Sequence, residues 1–309
     1  MKYAIIFPGQ GSQSLGMLSD LADNFPIVKD TFAEASDALG FDLWTLTQED
    51  QEALNQTQNT QPAMLAAGYA TYLALTSTTE LSPVCMAGHS LGEYTALVVS
   101  GALDFSDGIK LVRTRAELMQ SAVPAGVGAM AAILGLEDEV VVKVCADYAG
   151  EGIVQAVNFN SNGQVVIAGN KAAVDTTCET MKAAGAKRAV VLPVSVPSHC
   201  SLMDDAATVF ANAVEAVNFN MGNVNVLHNV DGAIATDTND IKAKLVAQLH
   251  KPVLWTGTVK AMNNIGVEKL IEAGPGKVLT GLTRRIEKSL TANAVFDSAS
   301  IAATLEEIT

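Results

Sequence analysis

A strand, a sharp turn and a helix can be read from one segment of this chain, Val84-Cys85-Met86-Ala87-Gly88-His89-Ser90-Leu91-Gly92-Glu93-Tyr94. Its centre is Gly-x-Ser-x-Gly, with Ser90 between a short apolar run and a helical pattern over 91–99. A serine at such a turn presents its hydroxyl in front of the positive end of the helix, and the flanking glycines leave room for the tight backbone. A glycine-bounded turn whose serine only caps the helix is the other interpretation.

Strand and helix signals alternate outward from this segment along all 309 residues. Alternation of this kind predicts an α/β fold with a largely parallel sheet. Strands are predicted at 3–7, 84–87, 224–228 and 267–272. Helices are predicted at 24–39, 62–76, 91–99, 104–120, 202–217, 240–249 and 277–288, the last after a structural turn, Gly274-Pro275-Gly276. Pro62 is expected near the first turn of its helix, where a missing N–H costs nothing.

A different pattern occupies the middle of the chain. Strands are predicted at 127–134, 153–159, 164–168 and 187–192, with helices at 137–148 and 170–184. The order β-α-β-β-α-β is typical of a ferredoxin-like unit. We therefore predict an α/β-hydrolase-like large domain, residues 1–125 and 196–309, with an inserted ferredoxin-like subdomain, residues 126–195.

Composition excludes several classes of function. The net charge of −14 argues against a general nucleic-acid role, which needs a basic surface. No apolar run approaches the roughly 18 residues of a membrane span, and the N-terminus enters a strand directly without a signal peptide. Four scattered cysteines suit a reducing compartment and argue against a structural zinc site. These features predict a cytoplasmic protein.

A serine nucleophile needs a base, and the chain has four histidines. His89 adjoins Ser90, but adjacent side chains at a sharp turn point apart, so it is a poor base. His228 ends a predicted strand and His250 a predicted helix, which are positions typical of surface or capping histidines. His199 precedes a predicted helix, whose positive end favours the neutral ring that a base requires. A structural role fits the position of His199 equally well.

The base also needs an acceptor to orient its ring. No acidic residue after Ser90 fits the Ser-Asp-His order of common serine hydrolases. Pro252 ends the helix predicted at 240–249, so the last carbonyls of that helix lack intrahelical partners. One of these carbonyls, at Gln248, could accept a hydrogen bond from the ring N–H of His199.

Arg115 occupies an unusual position on the helix predicted at 104–120. At about 100° per residue, one apolar stripe of this helix contains Ile109, Val112, Ala116 and Met119, widened by Leu111 and Leu118. Arg115 falls inside the stripe, whereas Arg113 falls outside it. An arginine that points inward must meet an anion, and its planar fork suits a carboxylate. A substrate carboxylate is one interpretation; an internal salt bridge or a snorkelled arginine is the other.

The loop after the first strand, Pro8-Gly9-Gln10-Gly11-Ser12-Gln13, is rich in turn residues. It lacks the Lys-Ser/Thr ending of a phosphate-binding loop. Its backbone N–H groups, together with that of Leu91, are suited to bind an oxyanion, and loss of one such donor typically costs ~3 kcal/mol of transition-state stabilisation. A plain connecting turn is the alternative.

Four motifs together carry a resemblance to a known family. In chain order they are Phe7-Pro8-Gly9-Gln10-Gly11-Ser12-Gln13, Gly88-His89-Ser90-Leu91-Gly92-Glu93-Tyr94, Val196-Pro197-Ser198-His199-Cys200 and Gly274-Pro275-Gly276-Lys277-Val278-Leu279. With the inserted ferredoxin-like unit, the chain resembles the bacterial malonyl-CoA:acyl-carrier-protein transacylases, acyltransferases of fatty acid biosynthesis, over nearly its whole length.

The resemblance implies a reaction and its partners. Malonyl passes from malonyl-CoA to a serine of the enzyme, and then to the phosphopantetheine thiol of acyl carrier protein, in a ping-pong transfer within lipid metabolism. It also implies a monomer that binds no metal and no cofactor, with the coenzyme A thioester as substrate.

The resemblance further implies roles for eight residues around one cleft. They are Ser90 as nucleophile, His199 as its base, Gln10 and Leu91 in the oxyanion hole, Arg115 for the malonyl carboxylate, Gln248 for orienting the histidine, and Asn158 and His89 in the cleft wall.

Two other functions stay open on the residues alone. A serine thioesterase or other hydrolase forms the same acyl-enzyme and then admits water, and a non-catalytic module would only bind the carrier protein. An acidic carrier protein would be attracted by five basic residues, which are equally compatible with scattered solvated charges. They are Lys187, Arg188, Arg284, Arg285 and Lys288.

Overall fold

The computed structural model describes residues 1–77, 79–124, 126–194 and 196–308. In these ranges the strands are β1 (Tyr3–Phe7), β2 (Met86–Gly88), β3 (Gly128–Leu134), β4 (Val154–Ser161), β5 (Gln164–Asn170), β6 (Arg188–Val191), β7 (Val226–Leu227), β8 (Lys269–Ala273) and β9 (Thr291–Val295). The helices are α1 (Ser19–Asn24), α2 (Ile27–Leu39), α3 (Leu43–Glu49), α4 (Gln51–Leu54), α5 (Thr57–Thr76), α6 (Gly92–Val99), α7 (Phe105–Ala122), α8 (Asp138–Ala146), α9 (Lys171–Ala183), α10 (Asp204–Glu215), α11 (Thr238–Gln248), α12 (Trp255–Asn264), α13 (Val278–Ile286) and α14 (Ser298–Ile308). Among the helices described, none is long and apolar enough to cross a membrane.

The larger sheet is parallel and places two predicted loops side by side. Its strand order is β7-β2-β1-β8-β9, with every pair parallel. All residues of β1 and β8 are buried, as expected for a parallel sheet covered on both faces. Because β1 and β2 are neighbours and their carboxyl ends share one edge, the Gln10 loop lies beside the Ser90 turn. The predicted parallel α/β architecture is confirmed.

The smaller sheet is antiparallel, with strand order β4-β5-β3-β6. Together with α8 and α9 it follows the predicted β-α-β-β-α-β sequence of elements. It packs its own apolar cluster, which includes Ile133, Val141 and Met181. The predicted limits at residues 125, 195 and 309 fall on Ala125, Ser195 and Thr309, which lie outside the described residues, so the division into two domains stays a prediction.

Two helix starts differ from the predictions by three residues or more, and each of these helices has a proline near its start. The helix predicted from residue 24 begins at Ile27, because Pro26 holds Phe25 extended (φ −131°, ψ 99°). The helix predicted from Pro62 begins five residues earlier, at Thr57, so Pro62 lies inside it. Proline cannot donate to the carbonyl of Gln58, four residues before it. That carbonyl instead accepts a hydrogen bond from Arg113 Nη1 at 3.2 Å.

Candidate active site

Ser90 lies on a strained turn between β2 and α6. Its φ is 50°, in the left-handed region that non-glycine residues rarely adopt. Both flanking glycines are required: a Cβ on Gly88 would collide with the backbone of Gly92, and a Cβ on Gly92 would collide with the carbonyl of Phe7. The turn therefore has the geometry of a nucleophile elbow, with the Ser90 hydroxyl at the edge of a cavity.

His199 is placed to take the hydroxyl proton of Ser90. Its Nε2 lies 2.8 Å from Ser90 Oγ, and its Nδ1 lies 2.6 Å from the carbonyl oxygen of Gln248. A carbonyl only accepts, so Nδ1 carries the ring proton and Nε2 is the free acceptor. Burial lowers the pKa of His199 to about 3, assisted by the nearby charge of Arg115. The ring is therefore neutral at physiological pH, as a general base must be.

Arg115 is buried, with 1% of its surface exposed, and points at Ser90. Nη1 donates to Gln61 Oε1 at 2.8 Å, and Nη2 donates to Gln248 Oε1 at 3.0 Å and to Ser90 Oγ at 3.2 Å. No carboxylate among the described residues forms a salt bridge with it. Burial lowers the pKa of Arg115, which reflects the free-energy cost of this desolvated charge. The guanidinium is thus held by neutral groups beside the nucleophile.

Gln10 and Leu91 line the same cavity as Ser90. In the part of the chain that the structure describes, neither backbone N–H donates a hydrogen bond. Most backbone N–H groups in a folded protein donate to a protein acceptor, so two N–H groups without one at the edge of a pocket are available to an incoming substrate oxygen.

Asn158 and His89 occupy the cavity wall, where they were predicted to lie. Asn158 Oδ1 is buried without a hydrogen-bond partner among the described residues. His89 Nε2 lies 2.8 Å from Asn160 Oδ1, and its ring packs edge-on against Trp255. Burial lowers the pKa of His89, so this ring too is neutral.

The structure also shows residues that sequence reasoning missed. Gln61 accepts from Arg115, and Glu93 and Asn229 form a fully buried network behind Ser90. His228 belongs to this network: the expectation of a surface or capping histidine is wrong, because it is 1% exposed and its Nδ1 lies 2.7 Å from Glu93 Oε1. His250 is a partly exposed histidine paired with Asp204. Of these residues, Glu93 alone lies inside one of the quoted sequence motifs, the one around Ser90.

Comparison with known proteins identifies the family. The family model described as acyl transferase domain matches residues 4–306. The chain belongs to this acyl transferase family. Among its relatives, malonyl CoA-acyl carrier protein transacylase of Escherichia coli strain K12 is 53% identical over 306 residues, which cover 99% of each chain. The protein of that name from Haemophilus influenzae is 54% identical over 307 residues, which cover 99% of this chain and 98% of that one.

Solved structures of the acyl transferase family agree with the fold. An acyl carrier protein S-malonyltransferase from Vibrio cholerae is 56% identical, with a TM-score of 0.96, covering 98% of this chain and 100% of that chain. A type II PKS acyl-carrier protein has been solved in complex with its malonyl-transacylase. The matched chain of that complex is 52% identical, with a TM-score of 0.98, covering 99% of this chain and 100% of that chain.

Two of the predicted basic residues, Arg188 and Arg285, lie on the same face of the small sheet. Arg188 and Gln164 both pair with Leu134, on opposite sides of β3. Arg285 Nη1 donates to Gln164 Oε1 at 3.3 Å, which joins the end of α13 to this sheet. All five predicted basic residues are exposed, and none forms a salt bridge with a described carboxylate. We call Lys187, Arg188, Arg284, Arg285 and Lys288 the basic cluster.

The described residues contain no group of three or more histidine, cysteine, aspartate or glutamate side chains arranged to hold a metal ion. The four cysteines are buried as free thiols. Burial raises the pKa of the Cys200 thiol, next to His199 in sequence, to about 11, so it is not a nucleophile at neutral pH.

Proposed function

We propose that this protein transfers a malonyl group from malonyl-CoA to the phosphopantetheine thiol of acyl carrier protein, through an ester on Ser90. The observation that carries the proposal is Arg115: a buried cation that forms no salt bridge with a described carboxylate and whose Nη2 lies 3.2 Å from Ser90 Oγ. A malonyl thioester ends in the carboxylate that such a cation requires, whereas an acetyl group does not. The names of the relatives support the same acyl group and acceptor.

In the first half-reaction, Arg115 binds the malonyl carboxylate and thereby directs the thioester carbonyl toward Ser90. His199 Nε2 takes the hydroxyl proton as Oγ attacks the carbonyl carbon. The N–H groups of Gln10 and Leu91 stabilise the oxyanion that forms. The C–S bond then breaks, and the coenzyme A thiolate takes the proton from His199 as it leaves.

In the second half-reaction, the carrier thiol replaces coenzyme A. His199 Nε2 removes the thiol proton, and the sulfur attacks the ester carbonyl on Ser90. The same two N–H groups stabilise the second oxyanion. The C–O bond of the ester breaks, and Ser90 recovers its proton from His199. Oxygen ester and thioester exchange without any net redox change, and the enzyme returns to its starting form.

The basic cluster is the proposed docking surface for the carrier protein. The chain as a whole is acidic, with 33 acidic residues and 19 basic ones, the basic cluster included. An acidic partner would be repelled by most of this surface and attracted to a patch of unpaired cations. In this proposal the predicted small subdomain, residues 126–195, supplies part of the docking face through Lys187 and Arg188.

The test of the proposed acyl specificity is the variant Arg115→Ala. We expect kcat/KM for malonyl-CoA to fall about 100-fold or more, because a buried charged contact is worth ~3 kcal/mol. The rate with acetyl-CoA should change by only a few fold, because acetyl offers no carboxylate. The matched control is Lys110→Ala, which removes a cation from the exposed face of the same helix. Equal losses for both acyl groups would contradict the role of Arg115.

A further inference from the structure

The side chain of Asn229 spans the Ser90 turn from behind. Its Oδ1 accepts from the backbone N–H of Ser90 at 2.7 Å, and its Nδ2 donates to the carbonyl of Gly88 at 2.7 Å. One amide therefore bonds both ends of the strained turn. Asn229 comes from a distant part of the chain, two residues after β7, and is fully buried.

The backbone of Asn229 is hydrogen-bonded as well as its side chain. Its backbone N–H donates to Glu93 Oε2 at 2.9 Å, and its carbonyl accepts from the N–H of Leu254 at 2.9 Å. Each backbone group and each side-chain polar atom of this residue thus has a partner. A fully satisfied buried polar group is rigid, because every rotation would leave a donor or acceptor unpaired.

The network continues from Glu93 to the other groups of the site. The Glu93 carboxylate also accepts from Gln248 Nε2 at 2.7 Å and contacts His228 Nδ1 at 2.7 Å. Gln248 Oε1 accepts from Arg115, so the orientation of the Gln248 amide is determined by a donor on one side and an acceptor on the other. The residue that orients His199 and the residue that clamps the Ser90 turn are therefore fixed by one carboxylate.

The geometry points to Asn229 as a positioning residue: its side chain holds the Ser90 turn so that Oγ faces His199 and the Leu91 N–H faces the cavity. This inference rests on the proposed role of Ser90 as nucleophile. Asn229 does not line the cavity and so is not placed to contact substrate. It therefore acts on the rate of attack at Ser90 and leaves the affinity for the acyl donor unchanged.

The variant Asn229→Ala tests this inference through two independent reactions of Ser90. The first is the pre-steady-state formation of malonyl-enzyme, measured by rapid quench and mass spectrometry. The second is phosphonylation by a fluorophosphonate, in which the Oγ–P bond forms, fluoride leaves and His199 takes the proton. We expect both rate constants to fall about 10- to 100-fold, the loss typical of a catalytic group misplaced by about 1 Å.

The affinity for malonyl-CoA distinguishes positioning from a purely structural role. Loss of a positioning residue lowers the rate and leaves affinity unchanged, whereas loss of a structural residue lowers both. Malonyl-CoA binding is compared in Ser90→Ala and Ser90→Ala/Asn229→Ala, and we expect the two Kd values to agree within about twofold. The control variant is Thr71→Ala, which removes a buried hydroxyl on α5 that bonds only the carbonyl of Ala67. Thr71→Ala should react at the wild-type rates. Wild-type rates in folded Asn229→Ala, or equal losses in Thr71→Ala, would overturn the inference.

Hydrogen exchange of the wild-type protein tests the bond between the Asn229 side chain and the Ser90 N–H, even where Asn229→Ala does not fold. The Ser90 amide hydrogen, bonded to Asn229, should exchange as slowly as the amides of β1. Exchange at the rate of an exposed loop amide would overturn the inference. The phosphonylation arm does not depend on malonyl: if wild type reacts with the fluorophosphonate but not with malonyl-CoA, the proposed function fails and the clamp is still tested.

Discussion

His199 shows at the scale of one residue how burial prepares a group for chemistry. The residue is 3% exposed, and its φ of 66° strains the backbone. Two hydrogen bonds offset this strain: the Gln248 carbonyl accepts from Nδ1, and the Leu249 carbonyl accepts from the backbone N–H of His199. Desolvation and the charge of Arg115 both penalise the imidazolium. Burial of the ring therefore lowers the pKa of His199, so the ring stays neutral and able to accept a proton.

The pH dependence of acylation follows from this pKa. A base with a lowered pKa loses its neutral form only as the pH falls through the folded value, which is about 3 for His199. We therefore expect the rate constant for acylation of Ser90 to stay within about twofold between pH 8 and pH 5. A histidine with the ordinary pKa of ~6.5 would be only ~3% neutral at pH 5, a loss of roughly 30-fold. Rapid-quench measurement of the acylation rate constant between pH 5 and pH 8 distinguishes the lowered pKa from the ordinary one. Circular dichroism at each pH is the control for folding.

Single residues of the site differ in how far the sequence predicts them. Ser90 and Arg115 follow from local patterns, a glycine-bounded turn and a polar position in an apolar helical stripe. Gln248 followed from the proline that ends its helix. Asn229 carried no such signal, because it meets Ser90 across 139 residues of chain and its neighbours in sequence show no periodicity. Contacts of that kind depend on the folded topology.

Among the helices and strands, those predicted best from the sequence were the buried strands and the elements bounded by proline or glycine turns. Sequence patterns predict no element at 255–264, 291–295 or 298–308, which form α12, β9 and α14 in the structure. Gly257 and several β-branched residues weaken the intrinsic helix preference of α12, which packs through Trp255 and Val259 instead. Tertiary burial, which a local pattern does not report, stabilises this element.

The start of α13 shows how a single side chain joins two elements. Glu272 lies at the fourth position of β8, is fully buried and accepts from the N–H groups of Leu279 at 3.0 Å and Thr280 at 2.7 Å. These are among the N–H groups that a helix leaves without intrahelical partners. The turn between them needs glycine at Gly274 and Gly276, with φ of 136° and 81°. The Gly-Pro-Gly motif is thus structural, as predicted.

Removal of this cap should destabilise the fold. We expect Glu272→Ala to lower the free energy of unfolding by about 3 kcal/mol, because it leaves one buried and one partly buried N–H group without their acceptor. Urea denaturation measures the change. Glu306→Ala, which removes an exposed carboxylate from α14, is the control and should change stability by less than about 0.5 kcal/mol. Equal stability of the two variants would show that Glu272 does not support α13.

At the scale of the whole molecule, charge is distributed unevenly. The chain carries a net charge of −14, and two residues of the basic cluster, Arg188 and Arg285, lie where the small sheet meets the end of α13. The five residues of this cluster come from two distant segments of the chain, and the sequence alone left open whether they would meet. The structure joins Arg285 to the sheet that carries Arg188, so these two residues share a surface, and the five-residue patch stays a prediction.

Charge reversal tests this surface. We expect Arg285→Glu to raise the KM for acyl carrier protein about fivefold or more at low salt, and the difference from wild type to shrink as salt screens the interaction. Lys29→Glu, an equal charge change at an exposed position of α2, is the control. If both variants raise the KM equally, the effect is one of net charge and the cluster is not the docking site.

The fate of the malonyl group on Ser90 distinguishes a transferase from a hydrolase. Malonyl-enzyme is formed with malonyl-CoA, freed of excess substrate, and mixed with phosphopantetheine-bearing carrier protein or with buffer alone, and all products are followed by mass spectrometry. We expect the label to be on Ser90 and to move to the carrier thiol far faster than to water, and we expect Ser90→Ala to carry none. Rapid release of free malonate with no malonyl-carrier protein would contradict this expectation and identify a hydrolase.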